Sequence, residues 1–451
     1  MSLPKLAELF EEPSCEHNAK KEKAGCPKPT PGKVGGGCTF DGAYSSLVPI
    51  ADAAHIVHGP IGCLGNAWNN RGSLSSGPLL YRQAFTTRFL NNDVVFGGEK
   101  KLYNAIKEII AQYAPPAVFV YQTCVTAMIG DDLGALSKAL EQKTGVPVIP
   151  VQAPGFTGNK NLGNRLAGEA VLKKVIGTQE PKTEYPFNIN LIGEFNIAGE
   201  FWYVAPLLDQ MGVRLICSLS GDARYHQVAM MHKANLNMMV CSRALLNVAR
   251  SMEEKYGIPW FEGSFYGAQN TTEALLTIAK FFKNPELLER TETMIAQEMA
   301  SIEPELSAIK ERLKGKKVLL YTGGVKSWSL VGALQELGMG VVATGAKKST
   351  EEDKQRIREL MGENAVLIDD GSPGNLLKLY HEKGASCLMA GGRNQYTAVK
   401  GRIPFVHVNQ ERDAAFAGYK GFLDLARQLD KAIHSPAFAL SKLPFTLRPL
   451  S

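Results

Sequence analysis

From Cys38 onward the chain alternates short apolar runs with stretches whose apolar positions recur at helical spacing. Residues 117–121 (AVFVY) predict a buried strand and 132–143 a helix. Residues 146–151 (VPVIPV) predict the next strand, with prolines that place them at its ends or on an edge. The pattern restarts near residue 186: a strand over 187–192, a helix through 202–211, a strand over 214–218, then a strand over 235–241 feeding a helix over 243–256. Residues 284–314 read as a long, charged helical connector. A third restart at 317–321 (KVLLY) ends in Gly323-Gly324. It continues with helices over 329–337, 351–361 and 376–382 and strands over 340–344, 365–368, 387–389 and 405–408. Strands alternating with helices of about 10–15 residues predict parallel sheets covered by helices on both faces. The expected fold class is therefore α/β, with three doubly wound, Rossmann-like domains over residues 38–185, 186–315 and 316–451, the last with a helical tail. In such sheets ligands sit outside the carboxyl ends of the strands, so the loops after strands carry the interest.

Composition narrows this picture. At about 100–200 residues per domain, 451 residues allow two to four domains. Hydrophobic residues make up 45% and charged residues 21%, which excludes global disorder and a collagen-like chain. No run approaches the roughly 18 apolar residues of a membrane span. Residues 1–37, rich in proline and mixed Lys/Glu and ending in Gly35-Gly36-Gly37, read as a flexible leader without the apolar core of a secretory signal. A cytoplasmic protein is expected. The net charge of +6 is mild and dispersed, so nucleic acid is not an expected partner. Eight cysteines, at 15, 26, 38, 63, 124, 217, 241 and 387, are too sparse for a disulfide framework, and a reducing cytosol disfavours one.

Three of those cysteines fall beside glycine or proline in loop or strand-end settings. Cys38 follows three glycines, Cys63 closes His58-Gly59-Pro60-Ile61-Gly62-Cys63, and Cys124 follows a strand in Tyr121-Gln122-Thr123-Cys124. Glycine lets a backbone approach a bulky group, and thiolates so placed suit an iron–sulfur cluster. Spacing alone leaves open whether these are three ligands or three unrelated core cysteines; no CxxC pair supports zinc. Three ligands also leave a four-iron cluster one short, which calls for an exogenous ligand or a second chain. Cys241 ends a strand just before Ser242-Arg243, where a helix N-terminus would favour a thiolate; an inert strand-end cysteine fits the same pattern. Gly323-Gly324-Val325-Lys326 and Gly391-Gly392-Arg393-Asn394 each put glycine N–H groups and a cation after a strand, as an anion site or as a plain turn. Asp131-Asp132 reads as an N-cap and a first-turn acid, and His55 and His58 as structural rather than ligating. No paired-carboxylate set, Ser/His/Asp triad or His-Glu-x-x-His motif is present. Cys217 and Cys387, in strand patterns, are expected in the core.

Taken together, several segments resemble the nitrogenase component 1 superfamily. They are Cys38-Thr39-Phe40-Asp41-Gly42-Ala43, the run 50–63 ending His58-Gly59-Pro60-Ile61-Gly62-Cys63, Cys124-Val125-Thr126-Ala127-Met128-Ile129-Gly130-Asp131-Asp132, Ser220-Gly221-Asp222-Ala223-Arg224-Tyr225, and the stretch from Cys241 to Gly257-Ile258-Pro259-Trp260. The likeness runs from about residue 36 to 430. Gly65-Asn66-Ala67-Trp68-Asn69-Asn70-Arg71-Gly72 and Gly97-Gly98-Glu99-Lys100-Lys101-Leu102 look typical of its iron–molybdenum cofactor assembly branch.

The resemblance implies that Cys38, Cys63 and Cys124 share a [4Fe–4S] cluster with a NifN-like β subunit in an α2β2 heterotetramer. It implies that Cys241 ligates the maturing iron–sulfur precursor. Arg71, Gly324, Lys326 and Arg393 match positions around the cofactor cavity, where cations would attract an anionic precursor and homocitrate. Catalytic α chains carry a histidine where Asn164 follows Gly155-Phe156-Thr157-Gly158 and Leu162-Gly163, and a molybdenum-ligating histidine where Asn409 follows Ile403-Pro404-Phe405. An amide ligates metal poorly, so a site keeping the cysteine but lacking both imidazoles suits a scaffold that passes its cluster on. The implied function is conversion of a precursor from NifB into the molybdenum- and homocitrate-containing cofactor, with NifH as transient partner and apo-dinitrogenase as acceptor. The alternative is a catalytic reductase, either a dinitrogenase α chain or a protochlorophyllide reductase component. The two asparagines disfavour the first and Cys241 the second.

Overall fold

The computed structural model describes residues 37–70, 74–77, 80–241, 244–346, 349–409 and 414–440. Residues 1–36 of the expected leader, with Cys15 and Cys26, and also Arg71, lie outside the described residues. Thirteen strands among the described residues form three sheets. The first contains β1 (Ala54–His58), β2 (Phe85–Thr86), β3 (Val118–Gln122) and β4 (Val148–Val151), in the order β2-β1-β3-β4. The second contains β5 (Asn188–Ile192), β6 (Arg214–Leu219), β7 (Leu236–Met239) and β8 (Trp260–Glu262), in the order β6-β5-β7-β8. The third contains β9 (Lys317–Tyr321), β10 (Gly340–Gly345), β11 (Leu367–Ile368), β12 (Cys387–Ala390) and β13 (Phe405–His407), in the order β11-β10-β9-β12-β13. Every recorded strand pairing is parallel.

The three sheets share one topological rule. Each first strand lies in the interior; the chain first adds strands on one side of it (β2, β6, and β10 with β11) and then crosses to the other (β3, β7 and β12). That reversal leaves a crevice at the carboxyl ends of β1 and β3, of β5 and β7, and of β9 and β12. The central strands are buried on both faces, which accounts for their near-continuous apolar runs. By contact, the chain divides into two compact units: residues 1–196 with 214–261, and residues 197–213 with 262–451.

Several elements differ from the sequence expectation. β1 (AHIVH) is a fully buried central strand that its two histidines disguise. The helix after β7 begins at Leu246, past Leu245 with φ of 64°, and not at residue 243. The helix after Gly324 begins at Val325 rather than 329, which puts Lys326 in its first turn. Cys217 and Cys387 are fully buried in strands, and burial pushes both thiols far up, as core cysteines require.

Candidate metal centre

In the first unit, β1 and β3 pair from Ala54↔Val118 to His58↔Gln122, so both strands deliver their carboxyl ends to one place. Cys63 follows β1 as the third residue of the helix Ile61–Asn70, and Cys124 follows β3 as the first residue of the helix Cys124–Met128. Cys38 comes from another direction. It precedes the helix Thr39–Leu47 and forms an antiparallel bridge with Asn159, while the Thr39 N–H donates to Gly158 O at 3.1 Å. This helix lies unusually close to the helix Lys160–Lys174. A Cβ on Gly163 would fall 1.9 Å from Thr39 O, and one on Gly42 would fall 2.0 Å from Lys160 O. Only glycine permits that approach, and the approach sets the place of Cys38.

The loop after β4 closes the arrangement at Gly155. A Cβ there would lie 2.9 Å from Cys38 Sγ and 3.1 Å from Cys124 Sγ, so both sulfurs pack against the bare backbone of Gly155. Gly155 has no left-handed φ, so its lack of a side chain serves the close approach of the sulfurs rather than the turn. Burial raises the Cys63 thiol above the ordinary range, and the neighbouring Cys124 and Cys38 thiols raise it further. Among the described residues no trio of His, Cys, Asp or Glu closes around a single metal ion. Two thiolates on one ion, with bonds of about 2.3 Å, can be at most about 4.6 Å apart. Thiols converging on one glycine backbone fit a multi-iron cluster, whose ligands are cysteine thiolates.

The polar groups behind these cysteines are buried and satisfied. His58 Nε2 lies 2.9 Å from Asp131 Oδ2, and His58 Nδ1 lies 3.1 Å from Thr87 Oγ1. The His58 carbonyl accepts from Thr123 Oγ1 at 2.8 Å and from Thr126 Oγ1 at 3.2 Å. Burial holds the His58 imidazole below its ordinary value, with Asp131 opposing. The expected N-cap and first-turn acid are displaced by one residue: Asp132, not Asp131, is the N-cap of the helix Leu133–Thr144, accepting from the Ala135 N–H. Asp131 is buried and paired with His58, across a sequence separation that no local pattern can show. His55 contacts Tyr121 Oη and Ile50 O and is pushed down to about 4 by burial, so it is a structural histidine. Close in sequence to Cys63, Cys124 and Gly155, the apolar Ile61, Met128 and Phe156 expose 59%, 78% and 46% of their surface.

Cys241 stands at the corresponding edge of the second sheet. Val240 N donates to Ile192 O, and Gly193, with φ of 87° at the end of β5, would place a Cβ 3.0 Å from Cys241 Cβ. The half-buried thiol thus sits at the β5/β7 crevice, although the helix start lies further along than the sequence suggested. Asn164, in the same unit, is buried, and its Oδ1 accepts from Ser46 Oγ at 3.0 Å.

The remaining predicted residues belong to the second unit. Gly324, with φ of 65°, ends the loop after β9, and its N–H donates to Ser349 Oγ at 3.2 Å. Lys326 holds Nζ 5.0 Å from the centroid of the Tyr266 ring. Arg393 is exposed in the single turn Gly392–Asn394 after β12. Asn409 is half-buried after β13, near Gly391. All four therefore lie at the carboxyl edge of neighbouring strands. Sequence reasoning missed Gly155 as the backbone on which two sulfurs pack, Gly193 as the neighbour of Cys241, and the His58–Asp131 pair. The only signal for Gly155 was its place in the Gly155-Phe156-Thr157-Gly158 segment.

Residues 38–434 match the family described as nitrogenase component 1 type oxidoreductase. The chain belongs to the nitrogenase component 1 family. It is 55% identical, over 98% of its length and 95% of the relative's, to the "Nitrogenase iron-molybdenum cofactor biosynthesis protein NifE" of Rippkaea orientalis. It is 56% identical, over 95% of its length and 96% of the relative's, to the protein of the same name from Klebsiella pneumoniae. The solved structure "Nitrogenase Cp1 at pH 5" is 30% identical and superposes with a TM-score of 0.84, covering 94% of this chain and 92% of that one. Membership ties the chain to iron–sulfur cofactor chemistry, and the parallel sheets agree with the nitrogenase component 1 fold. No helix among the described residues is long and apolar enough to cross a membrane.

Proposed function

We propose that this chain is the α-type scaffold subunit on which an iron–sulfur precursor is converted to the iron–molybdenum cofactor before transfer to apo-dinitrogenase. The observation that carries the reading is the convergence of Cys38, Cys63 and Cys124 at the first sheet's switch point, in a chain whose relatives are named for cofactor biosynthesis. The three thiolates would hold a [4Fe–4S] cluster, which supplies an electron relay. The fourth ligand would come from a NifN-like β subunit in an α2β2 assembly, which would also cover Ile61, Met128 and Phe156. Cys241 would hold the precursor, delivered by NifB. Lys326 and Arg393 would attract anionic groups on the precursor and homocitrate. NifH would be the transient partner for the molybdenum and homocitrate step.

The chain's own residues favour release over retention. Asn164 spends its amide oxygen on Ser46 and presents no imidazole, and Asn409 is likewise an amide. A precursor tethered chiefly by one thiolate can be handed on.

The test is anaerobic purification with the β partner, followed by iron counting and EPR of the wild-type complex and of Cys241→Ala. The variant should lose precursor iron and keep the interface-cluster signal. Equal loss of both signals would contradict the assignment of Cys241. Acetylene reduction at dinitrogenase-like rates by the pure complex would overturn the scaffold reading.

A further inference from the structure

The buried pair behind the cysteines joins four pieces of backbone. His58 ends β1, and the chain runs from it through Gly59 to Cys63. Its carbonyl takes both Thr123 Oγ1 and Thr126 Oγ1, which bracket Cys124. Thr87 Oγ1 stands 3.1 Å from His58 Nδ1 and accepts from the Gly59 N–H at 3.0 Å, adding the segment after β2. Asp131 supplies the last link. One carboxylate oxygen takes His58 Nε2, and the other accepts the Gly98 N–H at 3.1 Å. Gly98 closes the turn after the helix Asn91–Phe96, where Val95 and Phe96 expose 75% and 84% of their surface. Next to it, Glu99 Oε1 accepts the Asp132 N–H at 2.7 Å.

His58 is fully buried and Asp131 is 7% exposed, so neither group has water to replace a lost partner. Such a network is strong when complete and costly when broken.

We propose that Asp131 is a positioning residue that acts through His58. It holds the Cys63 and Cys124 loops in register and ties both to the exposed turn at Val95-Phe96. This rests on the cluster assignment for those cysteines. The carboxylate touches neither sulfur nor any reacting atom; it sets the distance between two ligand loops. Displacement of the exposed turn therefore reaches the ligands through one side chain.

The test compares Asp131→Ala, Asp131→Asn and Leu140→Ala in the full complex with the β partner. Leu140 is a buried core residue of the same unit on the helix Leu133–Thr144, and its truncation matches the stability loss without touching the clamp. Two quantities are read. One is the rate at which a chelator removes iron. The other is the yield of the Cys63–Cys124 cross-link formed by dibromobimane after iron removal, mapped by mass spectrometry. Asp131→Ala should release iron several-fold faster and form the cross-link in several-fold lower yield. Asp131→Asn, which keeps both hydrogen bonds with the imidazole tautomer reversed, should restore most of each. Wild-type values in Asp131→Ala, or equal effects from Leu140→Ala at matched melting temperature, would overturn the proposal. A wild-type complex without iron at these cysteines would sink the cluster assignment instead, and the cross-link yields would still decide the clamp.

Discussion

The switch points of the first and third sheets are built on one plan and furnished differently. After β1 comes a helix with Cys63 in its first turn; after β9 comes a helix with Lys326 in its first turn. After β3 comes Cys124, and after β12 comes Arg393. In the first unit these positions are soft thiols backed by a sealed polar network. In the second they are cations, one of them exposed and none sealed in. Topology thus decides where a ligand can sit, and the side chain on the loop decides its kind. Thiolate positions fix a metal centre by direct bonds, and cation positions draw charge over several ångströms without fixing geometry.

The largest expected effect breaks the thiol side of this comparison with one methyl group. Gly155→Ala suits the backbone, because Gly155 is not left-handed, yet its Cβ would press on Cys38 Sγ and Cys124 Sγ. The melting temperature of the complex should hardly move, while iron at the interface site should fall by at least about half, since a change of about 1 kcal/mol already shifts an equilibrium about fivefold. Iron counting and EPR check this. Full cluster content in Gly155→Ala would show that the tight approach at Gly155 is not what positions the thiols for the cluster.

The second prediction concerns stability behind the same site. His55 is neutral in the folded chain because burial pushes it down to about 4 from 6.5. The folded-state value is depressed, so its contribution is complete above about pH 6.5 and is lost as pH falls toward 4. The difference corresponds to about 3 kcal/mol. His55→Gln should lower stability at pH 7.5 but flatten the decline between pH 6.5 and 4. Denaturant titrations across that range measure it, and an unchanged slope would place the acid sensitivity elsewhere. No matching effect is expected in the cation-lined sheet, whose switch-point residues carry no buried histidine of this kind among the described residues.

The contrast between the two regions also explains what the sequence could disclose. The alternation of apolar runs and helical stretches made the third sheet legible, because its strands are nearly pure aliphatic runs between polar helices. β1 escaped because His55 and His58 break its apolar run, and their partners, Tyr121 and Asp131, lie far along the chain. The cysteines stood out individually, but their convergence depends on the pairing of β1 with β3 and on the close approach of the helices at Gly42 and Gly163, which spacing does not encode. The helix start after Cys241 was misplaced because residues 241–245 carry helix-compatible side chains, while Leu245 adopts a left-handed φ. Asp131 and Asp132 are adjacent and chemically identical, yet one caps a helix and the other clamps a buried imidazole; only tertiary contacts separate them.

The smallest expected effect tests the cation side. Lys326, half-buried in the first turn of its helix, and Arg393, exposed in the turn after β12, would attract charge through partly screened interactions worth about 1 kcal/mol each. Replacing both by glutamine should therefore weaken precursor retention by no more than about fivefold per charge removed at low salt. The difference should shrink as ionic strength rises and the screening length falls from about 30 Å at 0.01 M to about 10 Å at 0.1 M. Desalting the loaded complex at two salt concentrations and counting the retained iron provides the measurement. The interface cluster should be untouched throughout, since its proposed ligands are thiols of the other unit. A salt-independent loss as deep as that of Cys241→Ala would mean that these cations bond the precursor directly, and the division between fixing thiols and steering cations would fail.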